Sequence, residues 1–133
     1  MLTNSRFTRS PSLGIITDHG LKELAIVDHM VAAGYQVSFM EEHAISSSAV
    51  FPDLLLINYS HSEVNGLEVI QKIRKFSCQV GVVVVITHGH AQSNTLAFNA
   101  GADNCIHSPY DPREMLVMMA SLLRRVMLAP STA

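Results

Sequence analysis

Two uninterrupted apolar runs constrain the fold of this chain more than any other feature. Leu54–Ile57 reads LLLI and Val82–Ile86 reads VVVVI, with no polar residue in either run. A strand with one solvated face would alternate apolar and polar side chains. Uninterrupted runs are typical of strands that are covered on both faces, as in parallel sheets. The β-branched residues of the second run favour a central strand.

Further short apolar runs alternate with segments of helical periodicity. The predicted strands are 13–17, 35–40, 53–57, 80–87 and 103–107. The predicted helices start after Gly20, at Glu42, at Asn65, near Ala91 and at Asp111, and the second of them, 42–49, is short and weakly patterned. This alternation predicts an α/β fold, in which a doubly wound five-stranded parallel sheet is flanked by five helices.

Several predicted helix ends carry capping residues. Asn65 with Glu68 three residues later resembles a capping box at the start of the third predicted helix. Asp111 followed by Pro112 is typical of a helix start. Gly101 suits the left-handed position that follows a helix.

Composition and charge exclude several classes of function. Nine Lys and Arg are spread along 133 residues with a formal net charge of −2, so no electrostatic footprint for nucleic acid is visible. The longest apolar run is too short to span a bilayer, and the first twelve residues lack the apolar region of a secretory signal. Cys78 and Cys105 have no metal-type spacing and suit a reducing compartment. We expect one cytoplasmic domain over 12–127, between a flexible tail, 1–11, and a linker or frayed end, 128–133.

Ligand sites in open α/β sheets lie beyond the carboxyl ends of the strands. Of the seven histidines, five fall at these predicted strand ends, namely His19, His61, His88, His90 and His107. Imidazole suits zinc, nickel or copper, and its titration near neutrality also suits a pH-sensitive face. The alternative is a set of separate, solvated histidines, which is favoured because their spacing forms no strong zinc signature.

Over residues 13–125 the chain resembles the receiver domain of two-component response regulators, specifically the OmpR/PhoB class with a C-terminal winged helix. The most specific stretch is 100–125, AGADNCIHSPYDPREMLVMMASLLRR, which is close to that class's AGADDYIxKPFxPRELLARIRALLRR. The eight-residue step from Asn58 to Gly66 also matches the family's step from phosphoacceptor to glycine. The resemblance implies a flavodoxin-like receiver fold and a role in phosphorelay signal transduction.

The phosphorylation site that the resemblance implies departs from the family's pattern. The acidic pair falls on Thr17 and Asp18, the phosphoacceptor on Asn58 and the lysine on Ser108, while the threonine is kept as Thr87. An amide cannot form the acyl phosphate that a carboxylate forms, and one remaining acid is a poor magnesium site. We therefore expect an atypical receiver that is not phosphorylated at the usual position, has no cofactor, and binds magnesium weakly or not at all.

The family's switch and dimer surfaces are also altered. The aromatic residue that reports phosphorylation falls on Cys105, whereas Tyr110 keeps the ring after the proline. Because apolar residues cover more than one face of the last predicted helix, we expect a partner on its second face. The class dimerises through the fourth helix, fifth strand and fifth helix, so we expect a phosphorylation-independent homodimer there. Its expected interface residues are Asp103, Met115, Met118, Met119 and Leu122.

The leading hypothesis is a binding function in transcriptional regulation, without catalysis and with DNA contacts only through a separate winged-helix domain, if one is present. A stand-alone pseudo-receiver that docks a signalling protein is the main alternative, and a metal-sensing or pH-sensing receiver that uses the histidines is another. A phosphotransfer enzyme that uses Asp18 is disfavoured because a nucleophile and base pair is absent from the sequence pattern. A redox role for Cys105 is disfavoured because a strand thiol without a nearby base is inert.

Overall fold

The computed structural model describes residues 10–18, 24–59 and 63–128. The strands are β1 (Ser12–Thr17), β2 (Gln36–Phe39), β3 (Leu54–Asn58), β4 (Gly81–Ile86) and β5 (Asn104–His107), and the helices are α1 (Leu24–Ala32), α2 (Glu63–Phe76), α3 (Ser93–Ala100) and α4 (Pro112–Leu128). The sheet order is β2-β1-β3-β4-β5, and every neighbouring pair is parallel. This confirms the predicted doubly wound sheet, whose strand order reverses beside β1 and β3.

The two apolar runs become the central strands β3 and β4, which are buried on both faces. Leu54 and Leu56 face a cluster that includes residues of α1 and α4. Leu55 and Ile57 face the opposite cluster, which includes residues of α2 and α3. Each such side chain contributes about 1.5–3 kcal/mol when it is fully removed from water. Burial on both faces explains why these strands show no polar alternation.

Two predicted helix ends are confirmed by their backbone geometry. Gly101 ends α3 with a φ of 121°, and its N–H donates to the carbonyl oxygens of Ala97 and Phe98 at 3.2 and 3.0 Å. Asp111 precedes α4, and its Oδ1 accepts the backbone N–H of Arg113 at 2.9 Å. Hydrogen bonds from the side chain and backbone of Arg113 lower the pKa of the Asp111 carboxyl.

Two helix predictions are wrong, and both concern short polar sequences. The predicted helix 42–49 is reduced to a 3₁₀ turn at Glu42–Ala44, so that four α-helices rather than five flank the sheet in the described residues. Its one fully buried apolar residue is Ile45, and the three serines that follow compete with the backbone for hydrogen bonds. The next helix begins at Glu63, so Asn65 lies inside the first turn of α2 and is not its cap. Within the described residues, no helix is long and apolar enough to cross a membrane.

Candidate functional site

The carboxyl ends of the central strands bring the predicted site residues together. Asn58 is in register with Thr17 on β1 and with Val85 on β4. The backbone N–H of Asp18 donates to the carbonyl oxygen of Asn58 at 3.3 Å. The Asn58 side chain is half-buried, and its Oδ1 atom is buried. A neutral amide therefore occupies the centre of this sheet edge.

Thr87 and Ser108 complete the strand-end group on the neighbouring strands. Thr87 directly follows β4, and Ser108 directly follows β5. The N–H of Ser108 donates to the carbonyl oxygen of Ile86 at 2.8 Å, which holds the two strand ends side by side. The peptide bond between Ser108 and Pro109 is cis.

The chemistry of this group does not fit a magnesium ion. Four of its five members have neutral side chains, and the exposed carboxylate of Asp18 is the fifth. Magnesium in proteins is bound through one or two carboxylates together with substrate phosphate oxygens, and it demands near-ideal octahedral geometry. One exposed carboxylate beside hydroxyl and amide groups supplies little of that donor set.

Tyr59 directly follows β3, at a predicted strand end, but the sequence assigned it no role. Its hydroxyl donates to Oε1 of Glu42 at 2.9 Å, which fixes the direction of the ring. Burial, this hydrogen bond and the negative charges of Glu42 and Asp18 all raise the pKa of Tyr59 above its ordinary value. Tyr59 is thus a neutral phenol at physiological pH and forms a fixed wall beside the site.

The candidate metal-ligating histidines are placed apart or lie outside the described residues. His90 accepts the N–H of Gln92 on its Nδ1 at 3.2 Å. His107 lies with its Nε2 atom 2.7 Å from Oδ1 of Asn94, and His88 is exposed. His19 and His61 fall outside the described ranges. Within those ranges, no three His, Cys, Asp or Glu side chains form a group that could hold a metal ion.

The two switch positions face opposite sides of the sheet. Cys105 is half-buried against the cluster on the side of α2 and α3, whereas Tyr110 packs against the cluster on the side of α1 and α4. Burial raises the pKa of the Cys105 thiol to about 11. A thiol that stays protonated near neutral pH is a weak nucleophile.

Three of the five predicted dimer-interface residues are buried within this chain. Met115, Met119 and Leu122 are fully buried in the core of this chain, because their spacing forms the inner stripe of an amphipathic helix. Met118 is partly buried against the same cluster. The carboxylate of Asp103 binds within its own chain, since its Oδ2 accepts a guanidinium N–H of Arg74 at 2.7 Å and the backbone N–H of Val82 at 2.8 Å.

The exposed apolar residues near β5 form a different set from the predicted one. Val117 on α4 is 71% exposed, and Phe98 on α3 is 46% exposed. Leu96 on α3 is also exposed. These helices pack against opposite faces of the sheet, and β5 lies at the sheet edge between them.

A cavity of about 250 Å³ opens beside the strand ends, between the first turns of α2 and α3. Its described lining consists of Tyr59, Gly66, Leu67, Val84, Val85, Ile86, Thr87, His88, Ser93 and Ala97. Tyr59, Thr87 and His88 were predicted as strand-end residues, and the other lining residues were not predicted as site residues. The sequence gives only a weak indication of this cavity. That indication is the presence of two small residues, Gly66 and Ala97, near the starts of the helices that follow β3 and β4.

The strand order β2-β1-β3-β4-β5 is that of the flavodoxin-like doubly wound folds, a group that includes the signalling domains called receivers. The family model described as the response regulator receiver domain matches residues 15–120. The chain therefore belongs to the response regulator receiver domain family.

Curated relatives are transcriptional regulators that are longer than this chain. Transcriptional regulatory protein BaeR of Escherichia coli O6:H1 is 28% identical over 119 residues, which cover 87% of this chain and 49% of that protein. The DNA-binding dual master transcriptional regulator RpaA of Synechocystis sp. is 31% identical over 84 residues, which cover 62% of this chain and 35% of that protein. The chain thus spans about half the length of these relatives or less.

Solved structures support the same fold. The crystal structure of a CheY-like response regulator receiver domain protein from Methanospirillum hungatei JF-1 matches with a TM-score of 0.77 and 20% identity, covering 90% of this chain and 98% of that one.

Proposed function

We propose that this receiver domain acts without phosphorylation at Asn58 and works in transcriptional regulation through protein association. The observation that carries the proposal is the neutral amide at the end of β3, in register with Thr17 on one side and Val85 on the other. This is the position at which the resembled class has its phosphoacceptor carboxylate. Any contact with DNA would be made by a separate domain, since the longer relatives include a DNA-binding transcriptional regulator.

The chemistry of phosphoryl transfer supports this proposal. An acyl phosphate forms when a carboxylate oxygen attacks phosphorus and the leaving group departs with its electron pair. In an amide the nitrogen shares its lone pair with the carbonyl group, and the oxygen carries no formal charge, so it is a far weaker nucleophile than a carboxylate oxygen. Ser108 also supplies no cation for the transferred phosphoryl group, and Thr17 supplies no metal-binding carboxylate.

Incubation with acetyl phosphate and magnesium chloride, followed by intact mass measurement, tests this proposal. We expect no phosphoryl adduct on the wild-type chain. Asn58→Asp alone should gain little, since the cation and the second acid are still missing. The triple variant Thr17→Asp, Asn58→Asp, Ser108→Lys is the positive control and should gain one phosphoryl group. An adduct on the wild-type chain at any residue would contradict the proposal.

We infer further that association takes the form of a homodimer through α3, β5 and α4. Support comes from the exposed apolar side chains of Phe98 and Val117, which lie on the two helices that flank the edge strand β5. An isologous pair is the commonest closed arrangement for identical chains. The buried residues Met115, Met119 and Leu122 have no part in this revised surface.

A further inference from the structure

We propose that the cavity between α2 and α3 binds a small uncharged molecule with one ring and one hydrogen-bonding substituent. This binding role goes beyond protein association. It depends on the shape of the cavity and is independent of whether Asn58 can be phosphorylated.

The size of the cavity limits the occupant to about one ring. An apolar cavity of about 150 Å³ is known to hold benzene. This cavity measures about 250 Å³, which leaves room for a short substituent on such a ring. Sites for larger ligands span about 300–1,000 Å³. A nucleotide or a flavin would therefore not fit within the cavity.

The walls suit an aromatic or cyclic apolar body. Leu67, Ile86 and Ala97 present apolar surface, and the ring of Tyr59 closes one side. The space exists because Gly66 and Ala97 carry no large side chain where α2 and α3 approach β4. Since the Tyr59 hydroxyl is bound to Glu42 at 2.9 Å, the ring is held in place before any ligand arrives. A preformed wall of this kind reduces the cost of binding.

Two hydroxyl groups supply the polar contacts. Ser93 is only 1% exposed, and its Oγ accepts the N–H of His90 at 2.9 Å. That bond uses a lone pair of the oxygen, so the hydroxyl hydrogen can donate to a ligand acceptor. Thr87 adds a second hydroxyl at the strand end. A small number of polar groups in an otherwise apolar pocket is the usual basis of ligand specificity.

The charge of the lining favours a neutral occupant. The described lining contains no Asp, Glu, Lys or Arg. An ion placed there would lose its hydration without gaining a counter-ion, which is costly. A phenol or a similar neutral molecule matches both the apolar walls and the two hydroxyl groups.

A titration of the full chain with 4-ethylphenol, followed by amide NMR spectra, tests the proposal. We expect saturable shifts at the backbone amides of Gly66, Thr87, Ser93 and Ala97, together with a higher Tm. The anion 4-ethylbenzoate should produce no saturable shift at these amides. Absence of saturable shifts with 4-ethylphenol, or shifts confined to residues outside the cavity, would overturn the proposal.

Two variants locate the binding within the cavity. Ala97→Leu fills the space and should abolish the saturable shifts, whereas the same change at Ala32, on the exposed end of α1, should leave them unchanged. Thr87→Val keeps the shape of the side chain but removes its hydroxyl, and it should weaken binding by about three- to tenfold.

If Ala97→Leu does not fold, the amide map and Thr87→Val still decide the outcome. Wild-type affinity in a folded Ala97→Leu or in Thr87→Val would contradict the site. The acetyl phosphate experiment has no bearing on these results, so the two proposals can fail separately.

Discussion

Cys78 and Cys105 carry the same thiol group in different surroundings. Cys78 is exposed, and Cys105 is half-buried with its pKa raised to about 11 by burial. At pH 8, only about one Cys105 thiol in a thousand would be ionised at that pKa. We expect iodoacetamide to modify Cys105 at least about tenfold more slowly than Cys78. Peptide mapping after timed alkylation measures both rates, and Cys78→Ser isolates the slower one. Fast alkylation of folded Cys105 at pH 8 would contradict this expectation.

The same pKa shift has a consequence for stability at high pH. The folded-state pKa of Cys105 lies above the ordinary value of 9.0, so folding favours the protonated thiol. Its contribution to stability is fully present below about pH 9 and is lost as the pH rises through about 11. Cys105→Ser should therefore flatten this part of the stability profile relative to the wild-type chain.

The sequence predicted the strand-end residues because their positions follow from the strands alone. Asn58 and Thr87 come directly at or after uninterrupted apolar runs, and strand ends of a parallel sheet meet at one edge. The cavity residues Ser93 and Ala97 depend on how closely two helices approach β4. That distance is set by tertiary packing, which helical periodicity does not encode.

Arg74 joins three structural elements near the start of β4. Its Nε donates to the carbonyl oxygen of Gly101 at 2.8 Å, and its Nη1 donates to that of Val80 at 2.7 Å. Its Nη2 forms an ion pair with Oδ2 of Asp103 at 2.7 Å. The planar guanidinium thus links the end of α2 to the loop after α3 and to the entry of β4.

Replacing Arg74 tests how much this link contributes to the stability of the fold. Arg74→Ala should lower the free energy of unfolding in urea by about 2–4 kcal/mol, because it removes the guanidinium donor from two backbone carbonyls and one of the two donors from the Asp103 carboxylate. Arg74→Lys should recover only part of this loss, since an ammonium group cannot reproduce the fork of donors. Arg124→Ala, at an exposed position on α4, should change stability by less than about 0.5 kcal/mol. Full stability in Arg74→Lys would show that the fork geometry is unimportant.

Element boundaries were predicted best where apolar spacing was strong. The long helix α4 and the strand β4 have regular burial patterns, and both were predicted within a few residues. The segment 42–49 has a single fully buried apolar residue, Ile45, so packing gives a helix there little support. Asn65 resembled a cap because its spacing to Glu68 fits a capping box, yet α2 begins at Glu63. Local capping signals do not fix a helix start when the preceding residues can also adopt helical geometry.

At the scale of the whole molecule, the apolar runs were sufficient to predict the sheet, but hydrophobicity alone could not predict the contact surface. Met115 and Val117 are both apolar residues of α4, yet one is fully buried and the other is 71% exposed. The inner stripe of a helix is decided by its neighbours, here α1 and the sheet. The many apolar residues of α4 therefore suggested a partner protein, although most of them are covered by other parts of the same chain.

The proposed homodimer can be tested through its exposed residues. Val117→Arg should weaken dimerisation at least about tenfold, because it places a charge in an apolar contact. Val50→Arg is the matched control. Val50 is 93% exposed on the segment between β2 and β3, and β2 is the edge strand opposite to β5. Sedimentation equilibrium at tens to hundreds of micromolar measures both variants. A wild-type chain that remains monomeric at the highest concentration would contradict the homodimer and favour a different partner for this face.

The amide at Asn58 also has a consequence for the duration of a signal. A receiver that carries an acyl phosphate holds a bond that water hydrolyses, so its activated state decays at a rate set by that bond. Under the function proposed for this chain, no such bond forms, and an activated state lasts as long as its complex stays bound. The lifetime of the complex is set by its dissociation rate constant. How often the complex forms is set by the concentrations of the partners. Under this proposal, the amide at one strand end means that the duration of the signal depends on the dissociation of a complex and not on the hydrolysis of an acyl phosphate.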